Sequence, residues 1–335
     1  MKRRRPSLSA RLVLGLTFAA ALLGLAEVGA RLSGVMPAYQ PDAMGRWQTQ
    51  PNLSSHTMTG LREPHQFRVT TNAHGLRTPH AIAPEPGEWR VAVMGDSTVF
   101  GWGVEDTESI AAFAERTLQA LERPDIRVIN AGQPGYSSAM AGWLFERAVA
   151  EYQPDLTVVF VSMHDFNRTL MSDAERYLGT EGLAAGFRAF LVRHVRLYAV
   201  LRQHLYPLAH EAQLLPDRPS KEARVPRVSD AERSRVLEHM QAMATRWGGR
   251  VTVGFLPFHR DLMDGTSPDR PGLAQAQAWS EAHGVPVLDL RACCGPGADE
   301  RTFSFDRGHL NALGNDEVGE ALANALAAHL PPKIP

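Results

Sequence analysis

Ser97 closes the run Val91-Ala-Val-Met-Gly-Asp-Ser-Thr98, and far downstream Asp306 and His309 lie three residues apart, just before the last helical pattern. These residue types are the working parts of acyl chemistry. A serine hydroxyl is a poor nucleophile until an imidazole takes its proton. The imidazole in turn needs a carboxylate to fix its tautomer and stabilise its cation. Gly-Asp-Ser by itself is also an ordinary turn sequence. The apolar strand before it and the late Asp-x-x-His pair turn it into a catalytic expectation, with Ser97 as nucleophile, His309 as base and Asp306 as orienting carboxylate.

The elements that would position these residues follow from periodicity. Short apolar runs at 90–94, 126–130, 156–162, 251–255 and 287–290 have the length and β-branched content of strands. Leu-Thr-Val-Val-Phe-Val-Ser at 156–162 is nearly continuous, as expected for a strand buried on both faces. Helical patterns at 109–121, 137–152, 230–247, 272–283 and 314–329 alternate with them. This alternation predicts an α/β fold of three layers, with a central, mostly parallel sheet between helices. In such a sheet ligands bind beyond the carboxyl ends of the strands. Ser97, Gly135 and His164 each follow a strand end, and the loop before the last helix brings Asp306 and His309 to the same rim.

At these positions the chain resembles the SGNH/GDSL hydrolase family, whose fold is flavodoxin-like. Gly95-Asp96-Ser97 matches the first block, with the serine as nucleophile. Asn130-Ala-Gly-Gln-Pro-Gly135 matches the second, whose last glycine donates a backbone N–H to the oxyanion. Asp306-Arg-Gly-His309 matches the fifth, which completes the triad. The resemblance covers residues 60 to 330 and implies an oxyanion hole built from Ser97, Gly135 and the third block. That block departs from the pattern. Ser162-Met-His164-Asp165 stands where the family carries Gly-x-Asn-Asp, so His164 occupies the position of the asparagine donor. Losing one such donor costs about 2.7–4 kcal/mol in the barrier. His164 is a replacement donor, the mark of a weakened or specialised enzyme, or a structural residue, with Asn167 as a second possible donor.

Neighbouring residues have plainer readings. Asp96 is a turn or helix-cap residue, and Asp165 orients the loop around His164. Trp102 either walls an acyl pocket or packs in the core. His74, His259 and Arg260 are loop residues, and His194, His204 and His210 lack ligand spacing. No metal or other cofactor is expected.

Formal net charge is -1 over 335 residues, which gives no argument for nucleic acid. The charge is unevenly placed at the N-terminus. Met1-Lys-Arg-Arg-Arg5 is a cationic head, and Leu12 to Ala26 follows without a charge. This pattern predicts a signal anchor over residues 1–32, with the head cytoplasmic and everything after it outside. Cleavage near Val28-Gly-Ala30 is the alternative, giving a secreted protein. Residues 33–84 then form a membrane-proximal spacer and N-terminal extension, with an edge strand at 66–71. Residues 85–332 form the hydrolase-like domain, interrupted at about 170–228 by a helical insertion, either a lid or an ordinary helical layer. Cys293 and Cys294 are adjacent, so they are structural thiols or a strained vicinal pair.

The sequence therefore predicts an extracytoplasmic serine esterase, single-pass in the inner membrane, acting on an acylated carbohydrate or lipid. An O-acyltransferase of envelope polysaccharide would use the same residues. A non-catalytic scaffold working with envelope-polymer assembly proteins is the alternative of another class.

Overall fold

A computed structural model describes residues 7–32, 39–41, 47–59, 65–169, 171–178, 187, 190–191, 194–198, 201, 205, 224–258, 271–294, 302–303 and 308–329. The chain forms two compact units, Met1–Trp47 with Gly179–Arg218, and Gln48–Leu178 with Pro219–Pro335.

In the first unit α1 (Leu8–Leu32) has 25 residues. Its 22-residue portion Arg11–Leu32 is long and apolar enough to cross a membrane. At 1.5 Å per residue it spans about 33 Å, matching a hydrocarbon core of about 30 Å. Its leucines, valines and Phe18 are exposed rather than packed in a core. Glu27 is the only acid in this stretch, and among the described residues its carboxylate has three donors. Arg31 Nε (2.7 Å) and the backbone N–H groups of Arg196 (2.9 Å) and Leu197 (2.7 Å) all point to it.

The second unit begins with a small antiparallel pair of strands beyond Thr49. β1 (His56–Thr59) pairs antiparallel with β2 (Gln66–Val69), Met58 opposite Phe67. Phe67 and Val69 are buried while Gln66 and Arg68 are exposed, the alternation of a half-buried strand. Leu53 and Met58 are buried, and the polar composition around them hid a strand with one inward face.

The central sheet has β3 (Trp89–Gly95), β4 (Ile126–Gly132), β5 (Leu156–Phe160), β8 (Arg250–Phe255) and β9 (Leu288–Asp289). Between β5 and β8 come the two-residue strands β6 (Arg168–Thr169) and β7 (Val225–Pro226), which pair with each other. All five central strands are parallel, in the order β9-β8-β5-β3-β4. Chain order therefore reverses at β3, between β4 and β5, which is the flavodoxin-like switch point. The edge strand β9 is shorter than expected, because only Leu288 and Asp289 lie in register with Gly254 and Phe255.

On one face Val91, Val93, Val128 and Val158 pack with α3 (Ile110–Ala120) and α9 (Ala312–Ala327) through Ala114, Leu118, Val318 and Leu322. The other face is covered by α4 (Ser138–Arg147) and α7 (Asp230–Ala244), with α8 (Pro271–Ala282) beside α7. Helix starts follow local chemistry. Ser109, Ser137, Ser229 and Asn311 each accept from a backbone N–H of the first turn. The pattern expected at 137–152 ends as an α-helix at Arg147 and continues as a 3-10 turn, Val149–Tyr152. Cys293 and Cys294 are free thiols, 3.5 Å apart at sulfur.

Candidate active site

Strand β3 ends at Gly95, and α2 (Ser97–Phe100) begins at once. Asp96 is the cap between them, accepting from the Thr98 N–H at 2.9 Å. This tight strand-to-helix turn holds Ser97 at the rim with 8% of its surface exposed. The turn depends on Gly132 of β4. A Cβ there would lie 2.2 Å from the Phe100 nitrogen, so only glycine lets β4 pass so close under α2.

His309 arrives from the other end of the chain. Leu310 bridges to Phe303, Asn311 N–H donates to Thr302 O at 2.8 Å, and Asn311 caps α9. So held, His309 Nε2 lies 2.8 Å from Ser97 Oγ across 212 residues of sequence. Trp102 packs edge-on against Phe67 at 5.3 Å between ring centroids, and its ring lies 6.2 Å from that of His309. It therefore has both a packing contact and a place beside the imidazole. Asp306, His259, Arg260, His204 and His210 lie outside the described residues.

Gly135 follows β4 with φ +76°, a left-handed conformation that glycine adopts without strain. The loop is tied to β3, since Gln133 N–H donates to Gly95 O at 3.0 Å. His164 lies on α5 (Met163–Phe166), after β5, and Ser162 caps that turn by accepting from the His164 N–H at 3.2 Å. Its Nε2 is 3.7 Å from Asp96 Oδ2, next to the nucleophile. Its Nδ1 is 3.3 Å from the Asn167 amide nitrogen. An amide NH₂ donates, so this contact favours the tautomer with its ring proton on Nε2. Burial holds the imidazole below its ordinary pKa. Asp96 and Asp165 oppose that shift, and the positive charge of Arg227 reinforces it. The rim thus gathers a hydroxyl, an imidazole in contact with it, a loop glycine and a second imidazole.

The sequence profile of the GDSL-like lipase/acylhydrolase family matches residues 93–316, well over half of the chain and the whole of this rim. The chain belongs to the GDSL-like lipase/acylhydrolase family. It is accordingly an ester-hydrolysing enzyme. Solved structures similar to this acylhydrolase include a lipase/acylhydrolase from Enterococcus faecalis, 19% identical, covering 74% of this chain and 100% of that one with a TM-score of 0.44. The psychrotrophic esterase EstA from Pseudoalteromonas sp. is 10% identical, covering 72% and 97% with a TM-score of 0.44. An acetylxylan esterase from Geobacillus stearothermophilus is 16% identical, covering 70% and 93% with a TM-score of 0.40. No curated protein sequence matches the chain.

In the acylhydrolase the rim loops are braced from behind by charged side chains the sequence did not single out. Asp165, fully buried, accepts from Ser138 N–H and Oγ, both at 2.7 Å, and from Arg233 Nε at 3.0 Å. That agrees with its expected role as an orienting residue, and it ties α5 to the start of α4. Arg77 donates to the carbonyls of Phe100, Gly101, Val104 and Arg68 and pairs with Asp106 at 2.7 Å, which pins the segment after α2 that carries Trp102. Arg227 donates to Gly135 O at 3.0 Å. The available signal for Arg227 was faint: one cation enclosed in Val225-Pro-Arg-Val228. His74 pairs with Glu151 at 3.4 Å, as a surface residue would.

Proposed function

We propose that this acylhydrolase is a serine esterase that removes O-acyl groups from an extracytoplasmic carbohydrate or lipid. Ser97 is the nucleophile, His309 the general base and Asp306 the carboxylate that orients it. As Ser97 Oγ bonds to the ester carbonyl carbon, its proton passes to His309 Nε2. The tetrahedral oxyanion is held by the backbone N–H groups of Ser97 and Gly135 and by the Nε2–H of His164. Collapse breaks the bond to the alcohol oxygen, which leaves with the proton from His309. Water, deprotonated by the same imidazole, then hydrolyses the acyl-enzyme to carboxylate and free Ser97.

The observation that carries this reading is the 2.8 Å approach of His309 Nε2 to Ser97 Oγ. His164 is included because the Asn167 contact favours its donating tautomer. The address rests on the cationic head before α1 and on the apolar length of that helix, which together favour an uncleaved anchor with the body outside. An enzyme so placed meets envelope glycans and lipids, and envelope-polymer assembly proteins are its expected partners.

The full chain in detergent micelles should be labelled at Ser97 by an activated organophosphonate. Labelling should vanish in Ser97→Ala and slow at least about a hundredfold in His309→Ala, in keeping with the loss of an activating base. A folded protein that takes up no label would rule the mechanism out.

A further inference from the structure

Among the described residues after 205, the first deeply buried cation is Arg227, 7% exposed. Its backbone is fixed on both sides: its N–H donates to Asn167 O at 2.9 Å, and its carbonyl accepts from Asp173 N–H at 2.8 Å. The guanidinium is fixed as well. Nε lies 3.1 and 3.0 Å from the two carboxylate oxygens of Asp173, and Nη2 lies 2.8 Å from one of them. Nη2 also lies 3.2 Å from Met140 Sδ. Asp173, 1% exposed, accepts in addition from Ser137 Oγ at 2.6 Å, and Ser137 is the cap of α4. One nitrogen is left to act elsewhere, and Nη1 donates to Gly135 O at 3.0 Å.

That contact bears on the loop glycine of the rim. Glycine takes a positive φ without strain, and Gly135 does so as the third residue of the turn Gln133-Pro-Gly-Tyr136. The Gly135 N–H lies in the Pro134–Gly135 peptide, and on the N-terminal side the neighbouring Gln133–Pro134 peptide is held through its carbonyl, which accepts from the Tyr136 N–H at 3.1 Å. On the C-terminal side the Gly135 carbonyl is held by a charge-assisted hydrogen bond from a guanidinium that has no freedom of its own. With both flanking peptide planes fixed, the direction of the Gly135 N–H is fixed too. We propose that Arg227, locked by Asp173, is the positioning residue of the oxyanion hole, aiming the Gly135 N–H while touching neither substrate nor reacting atoms. This rests on the reading of Gly135 as an oxyanion donor. The Arg227 charge also disfavours a proton on His164, which leaves Nδ1 free to accept from Asn167.

Arg227→Met would leave Asp173 buried without its cation and can fail to fold, so Arg227→Lys carries the test. Lysine keeps a charge beside Asp173 but cannot reach Gly135 O from the same position. With the full chain in detergent micelles, kcat and KM are measured on p-nitrophenyl acetate, together with inhibition by a trifluoromethyl ketone that adds to the nucleophile as a tetrahedral oxyanion. Removing one oxyanion donor lowers kcat by about 10²–10³. A misaimed donor should lower it by about tenfold or more, with KM within about twofold and the ketone weakened by the same factor as kcat. A merely structural role would not couple ketone affinity to kcat at constant KM. Unchanged kcat and ketone affinity in Arg227→Lys, with turnover still abolished by Ser97→Ala, would overturn the Arg227 assignment alone. Turnover that survives Ser97→Ala would overturn the underlying site as well.

Discussion

A histidine at position 164 does two things an asparagine would not: it carries its donor hydrogen on a ring whose tautomer a neighbour sets, and it titrates. Asn167 supplies the first condition by donating to Nδ1. Burial supplies the second by holding the folded-state pKa below 6.5. Asp96 and Asp165 favour the cation, while Arg227 and His309 disfavour it, and burial dominates. The sign follows from proton counting. Below about pH 6.5 the unfolded chain protonates this residue while the folded chain does not, so stability falls as pH falls. The contribution is whole above that value and is lost on the way down to the folded-state pKa. Urea midpoints at about pH 8 and about pH 5 should therefore drop more for the wild type than for His164→Asn. Equal drops would show that His164 is not held neutral.

At the scale of elements, the site is a set of strand-end loops joined by buried ion pairs. Asp165 links α5, α4 and α7, because its carboxylate serves Ser138 and Arg233 together. Arg233 keeps other partners when Asp165 is removed, with Nη1 on Asp230 Oδ1 at 2.9 Å, Gln275 Oε1 at 3.1 Å and Gly272 O at 3.4 Å. Breaking a buried pair costs about 3–5 kcal/mol, so Asp165→Ala should lose about 3 kcal/mol in denaturant unfolding. Turnover should fall as well, because α5 carries His164. The strands and helices behind this arrangement were largely legible in the sequence. Continuous apolar runs marked β3, β4, β5 and β8, and 3.6-residue spacing marked α3, α7 and α9. The misses share a physical cause. β1 was hidden because an alternating strand only four residues long is drowned by polar neighbours, and β9 came out short because only Leu288 and Asp289 find register partners on β8. The arginine braces left almost no trace, because a long flexible side chain looks the same in sequence whether it is solvated or buried.

For the whole molecule, the parallel sheet places the reversal of strand order between β4 and β5, and the rim loops carrying Ser97, Gly135 and His164 follow the three adjacent strands β3, β4 and β5. The apolar helix α1 belongs to the other compact unit. With Arg11–Leu32 acting as an anchor, the full chain should stay in the membrane pellet through alkaline carbonate extraction. A reporter active only outside the cytoplasm should work when fused beyond residue 32. Release into the supernatant would favour cleavage near Ala30.

What the sequence determined by itself is local: the nucleophile's strand-turn-helix setting, the alternation that specifies an α/β sheet, the family blocks, and the segregation of charge from apolar residues at the N-terminus. Each depends on interactions within a few residues, which periodicity and turn chemistry record directly. Only the tertiary structure decided that His309 meets Ser97 at 2.8 Å, that Asn167 lies 3.3 Å from His164 Nδ1, and that Arg227 reaches Gly135 across 92 positions. Such contacts are set by the order in which strands assemble and by the reach of buried side chains, and neither quantity is written in any short stretch of chain.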